Sequence, residues 1–63
     1  MAEKFRGMDV LYKGNRKMLL FNQFGLGAKY EIYTKHDNVW CYNIVFETLG
    51  KAKAYYDRIY DGN

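Results

Sequence analysis

The chain has 63 residues with a formal net charge of +3, and 49% of its residues are hydrophobic, which allows one domain over 1–63 near the lower size limit of independent stability. One cysteine and one histidine exclude an internal disulfide and a tetrahedral zinc site, so neither metal nor cofactor is expected and self-association, as a homodimer or higher oligomer, is the predicted support for so small a fold. The longest apolar run, Met18-Leu19-Leu20-Phe21, is strand-length, so no membrane span is expected.

Residues 1–7 read as a short lead-in. Their basic residues Lys4 and Arg6 are not followed by an apolar stretch, and with a lone thiol this predicts a cytoplasmic protein. Met8–Lys13 reads as a strand, Gly14-Asn15 as a two-residue hairpin turn and Lys17–Asn22 as the partner strand. That turn sets Val10 opposite Leu19 and Met8 opposite Phe21, giving one apolar face. Residues 23–28 contain Gly25-Leu26-Gly27 and read as a connection, because the fuller glycine pattern of a phosphate-cradling loop is missing.

A second hairpin is predicted from strands 29–34 and Val39–Phe46, joined by the loop Lys35-His36-Asp37-Asn38. A four-residue loop pairs Thr34 with Val39, Ile32 with Cys41 and Tyr33 with Trp40. Tyr30, Ile32, Val39, Cys41 and Val45 then share one face with Asn43, and most are small enough to admit a helix. Tyr33, Trp40, Tyr42 and Ile44 share the other face with Glu31. The helix follows: Thr48 suits its N-cap, Leu49, Ala52, Tyr56 and Ile59 recur at helical spacing, and Gly62 supplies a stop. The predicted fold is therefore α+β, an antiparallel four-stranded sheet of two hairpins with one C-terminal helix packed on one face. The opposite face is left to solvent, to a second copy or to a partner.

Phe46, Thr48, Ala52, Tyr56 and Asp57 fit the run Phe-x-Thr-x-x-x-Ala-x-x-x-Tyr-Asp, and this C-terminal third of the chain resembles the sheet-to-helix junction of AP2-type DNA-binding domains. Glu31-Ile32 and Val39-Trp40 are similar to that family's second and third strands. The arm-binding domains of phage integrases have a similar layout, and the order of four strands then a helix resembles the single-strand-binding repeat of the Whirly type. The resemblance implies a sheet backed by a helix and presented to DNA. The family's DNA-reading arginines have no counterparts, since the second hairpin offers Lys29 and Lys35.

Seven Tyr, four Phe and Trp40 are more rings than one thin core needs, and exposed Tyr and Trp suit binding. Cys41 with His36 would make a nucleophile and base, but a mid-strand Cys41 among apolar neighbours reads as a buried structural thiol. The acidic residues are scattered without metal or acid/base spacing, so no catalytic residue is assigned and an enzyme is not expected. Lys13, Arg16 and Lys17 cluster at the first hairpin tip. With Tyr33, Trp40 and Tyr42 they form a basic rim around a stacking platform, the pattern of a nucleic-acid-binding surface. The alternative partner is a host protein, occluded by a small inhibitor of the phage- or mobile-element type.

Overall fold

Five antiparallel strands and one helix make up the computed structural model, which describes residues 3–24, 27 and 29–62. The strands are β1 (Lys4–Phe5), β2 (Met8–Lys13), β3 (Lys17–Asn22), β4 (Lys29–His36) and β5 (Val39–Phe46), ordered β1-β2-β3-β4-β5 in one sheet, and α1 spans Leu49–Arg58. The α+β class and the single C-terminal helix stand, but the sheet has five strands rather than four. The added strand comes from the presumed lead-in. Arg6 and Gly7 both take left-handed backbone angles (φ 52° and 81°), as both central residues of a type I′ turn must, so Phe5 folds back against Met8.

The first long hairpin turns one residue later than Gly14-Asn15. Gly14 N–H donates to the Lys17 carbonyl at 2.8 Å, which places Asn15 and Arg16 at the bend and pairs Lys13 with Met18 and Tyr12 with Leu19. A β-bulge at Leu11 then shifts the register, so Val10 faces Leu20 instead of Leu19, and Asp9 rather than Met8 faces Phe21. The run Met18-Leu19-Leu20-Phe21 accordingly feeds both faces of the central strand. Met18 and Leu20 join Met8 and Tyr33 in one buried cluster, and Leu19 joins Ile32, Ala52 and Tyr56 in the other.

The second hairpin turns on two residues, not four. Asp37 and Asn38 both have positive φ (51° and 65°), another type I′ pair, and Lys35 and His36 belong to β4. Thr34 pairs with Cys41, Lys35 with Trp40 and Tyr33 with Tyr42. A second bulge, at Asn43, reverses the faces beyond it, because strand side chains alternate with period two. Ile44 therefore lies with Ile32 on the helix side, and Val45 with Glu31 on the other.

Helix α1 starts as its sequence predicts. Thr48 is extended (φ −124°, ψ 146°) and its hydroxyl accepts from Lys51 N–H at 3.3 Å. Ala52 and Tyr56 are buried on the sheet, with Ile44, Phe46 and Ile59 around them. The stop comes earlier than Gly62, at Ile59, which turns extended and donates to the Tyr56 carbonyl. Of the 23–28 connection, Gly25, Leu26 and Ala28 lie outside the described residues.

The face opposite the helix is not left bare. Met18, Leu20, Tyr33 and Met8 are buried there beneath Phe5, Val10 and Trp40. The cover is the sheet itself: bulges in β2 and β5 add twist and bend, and β1 curls over until Phe5 reaches Tyr33.

Candidate functional site

The tips of the β2–β3 and β4–β5 hairpins lie side by side, joined by a backbone bond from Lys35 N–H to the Arg16 carbonyl (2.9 Å). Between them runs a polar groove of about 410 Å³ lined by Arg16, Lys35, His36, Asp37 and Asn38. Lys35 borders the groove, but its amine lies on the aromatic surface, with Nζ 4.9 Å from the centroid of the Trp40 ring. That cation–π contact is set by the two-residue turn, which makes Lys35 and Trp40 direct cross-strand partners.

Along β5, Trp40 and Tyr42 project from the same face. Trp40 is half-buried, whereas Tyr42 is 55% exposed and meets the Tyr33 ring edge-on, with centroids 5.9 Å apart. Tyr33 is only 4% exposed. It is a floor for the platform rather than a stacking surface. Arg6 adds a second cation, its guanidinium 5.4 Å from the Phe5 ring and 5.7 Å from the Tyr33 ring. Burial raises the Tyr33 phenol above the ordinary tyrosine range, helped by the Glu31 carboxylate and opposed by Arg6.

The three basic residues predicted for the rim part company. Arg16 lines the groove. Lys13 forms an ion pair with Glu3 at 2.7 Å. Lys17 turns to the helix side, donating to the Tyr56 carbonyl at 2.9 Å with its Nζ 4.4 Å from the Tyr56 ring. The cations that replace them, Lys35 and Arg6, were concealed by the two turns: reading Asp37-Asn38 and Arg6-Gly7 as left-handed pairs would have brought both to this face.

The chain matches no protein-family model, no curated protein and no solved structure.

Cys41 is exposed rather than buried, its thiol donating to the Val39 carbonyl at 3.7 Å. His36 Nε2 lies 3.0 Å from the Thr34 hydroxyl. Among the described residues no group of three His, Cys, Asp or Glu side chains is placed to hold a metal ion. No helix over those residues is long and apolar enough to cross a membrane. What the site offers chemically is aromatic rings, cations lying over them and a polar groove.

Proposed function

We propose that this protein is a non-catalytic nucleic-acid-binding module. Unpaired bases stack on Tyr42 and the rim of Trp40 while phosphates enter the groove lined by Arg16, Lys35 and His36. The observation that carries this reading is the place of Lys35, a residue that borders the groove and whose amine lies on the Trp40 ring. Aromatic surface and polar groove thus lie next to each other, the combination that single-strand binding uses. Three cations, Arg6 and Lys35 on the rings and Arg16 in the groove, would release about two counterions on single strands, at roughly 0.7 for each neutralised phosphate. A labelled-oligonucleotide titration over a salt series tests the proposal. Affinity for single strands should fall with salt at a log–log slope of about −2; absence of binding to single- and double-stranded DNA and RNA at low salt would refute it.

A second reading, an inhibitor that occludes a host protein, is favoured by one feature. β5 is an edge strand of eight residues with no charged side chain and no proline, and such an edge can accept a strand from another chain. A stoichiometric partner retained after nuclease digestion, and lost when the exposed Cys41 is replaced by lysine to put a charge on the edge, would select this reading over the first.

A further inference from the structure

After α1 the chain returns to the β2–β3 bend, and Asp61 caps it. One carboxylate oxygen accepts from Arg16 N–H at 2.9 Å and the other from Asn15 N–H at 3.1 Å. Two successive backbone N–H groups converging on one anion form a nest, the arrangement that elsewhere holds phosphate oxygens. The seat is shaped to this occupant. A Cβ at Gly14 would lie 2.5 Å from both Asp61 carboxylate oxygens, and one at Gly62 would lie 2.6 Å from the Arg16 side chain. The carboxylate thus fits only because residue 14 has no side chain, and the tail closes against the Arg16 stem at the mouth of the groove. Arg16 and Lys17 supply positive charge around it, and together with the two N–H groups they favour its ionised form.

We propose that the Asn15–Arg16 bend is a binding site for a phosphate group and that Asp61 is its intramolecular occupant. A phosphate offers two oxygens at nearly the separation of a carboxylate's, and it would meet the same two donors with Arg16 beside them. The tail and an incoming phosphodiester then compete, so the fold carries its own competitor for the Asn15–Arg16 bend. This inference rests on the nucleic-acid reading for its biological ligand but not for the site itself.

Two variants of the full chain separate the cases. Asp61→Asn removes the competing charge. Gly14→Ala fills the seat itself: its Cβ displaces the movable Asp61 side chain and, standing against the same two oxygen positions, excludes a phosphate as well. Each is titrated with inorganic phosphate and with a single-stranded oligonucleotide, and the amide resonances of Asn15 and Arg16 are followed by NMR. In Asp61→Asn phosphate should shift those two amides saturably, at roughly tenfold lower concentration than in the parent protein, and oligonucleotide affinity should rise by a similar factor, whereas in Gly14→Ala phosphate should leave them unmoved. If phosphate leaves the Asn15 and Arg16 amides unmoved in Asp61→Asn, or moves them equally in Gly14→Ala, the site is wrong, whether or not oligonucleotide binds. If Asp61→Asn binds oligonucleotide more weakly than the parent, the tail positions Arg16 instead of competing, and the proposal falls. If phosphate moves the amides but no form binds oligonucleotide, the site stands and the nucleic-acid reading is what fails.

Discussion

The Phe5 ring meets the Tyr33 ring edge-on, with centroids 5.1 Å apart at 68°, although β2 and β3 lie between their strands. In a flat sheet β1 and β4 would be about 14 Å apart, three spacings of roughly 4.8 Å. The contact therefore measures how far the sheet has curled, and it closes the cluster of Met8, Met18, Leu20 and Tyr33 that no helix covers. Phe5→Ala should cost about 2 kcal/mol, below the figure for a fully buried ring because Phe5 is only partly buried. Phe5→Leu should cost less than half as much. Denaturant unfolding checks this through the midpoint, and a Phe5→Ala midpoint equal to the parent's would show that β1 is not part of the stable sheet.

Binding is predicted to divide between Trp40 and Lys35 in different ways. Trp40→Ala removes ring area and should weaken oligonucleotide binding about tenfold at every salt concentration, within the 1–3 kcal/mol of a stacked base. Lys35→Ala removes one phosphate contact and should flatten the log–log salt slope by about 0.7. Lys13→Ala, whose amine is paired with Glu3, should leave the slope unchanged. Equal loss of slope in the Lys13 and Lys35 variants would indicate diffuse charge attraction rather than a defined groove.

The helix was legible in the sequence because its signals are local: a Thr48 cap, and Ala52 and Tyr56 four residues apart on the buried stripe. Strand order within each hairpin was legible for the same reason. The registers were not, since each depends on a bulge. Leu11 and Asn43 carry no composition that marks them, and a one-residue slip moves a whole strand segment to the opposite face. So Ile44 was expected beside Trp40 and lies beside Ile32 instead. The shared face of Tyr33, Trp40 and Tyr42 survived because the predicted and observed registers differ there by two residues, which preserves alternation. Tyr33 is less accessible than expected because its cover, Phe5 and Arg6, comes from the β1 strand and the turn after it, within the segment read as a lead-in.

Tyr33 and Tyr56 should ionise later than an ordinary tyrosine. Burial is the main cause for both, reinforced by Glu31 at Tyr33 and by Asp61 and Asp57 at Tyr56. With the folded pKa above the unfolded value of about 10, the unfolded chain releases these protons first as pH rises. The associated stability is complete below about pH 10 and is lost as pH climbs through the folded values. Ultraviolet titration of the parent, Tyr33→Phe and Tyr56→Phe proteins checks it: each substitution should remove one late-ionising phenol. If neither does, the two rings are not desolvated as described.

Exposure of Cys41 on the edge strand has a direct chemical consequence. The native monomer should react fully with a disulfide reagent in the absence of denaturant, without waiting for unfolding. Cys41→Ser should change stability by no more than about 0.5 kcal/mol, as for surface sites generally. A thiol that reacts only at concentrations too low for association would instead show that the β5 edge is covered by a second copy. One that reacts only in denaturant at any concentration would contradict its exposed position.

Asp61 links acid stability to the hairpin tip. The N–H groups of Arg16, first, and Asn15 hold its carboxyl below the ordinary carboxylate range, with Lys17 and Arg16 charges adding to the effect. A lowered folded pKa means that the unfolded chain binds the proton first as pH falls. The contribution is therefore complete above the unfolded value, about 3.9, and is lost as pH drops through the folded one. Parent protein should lose tail docking in that acid window, seen as coordinated shifts of the Asn15 and Arg16 amides with the Asp61 carboxyl resonance. Asp61→Asn should abolish those amide shifts while the rest of the sheet keeps its acid response. Amides that move at the same pH in both proteins would assign the transition to another carboxylate, and the bend would then be held by something other than the Asp61 charge.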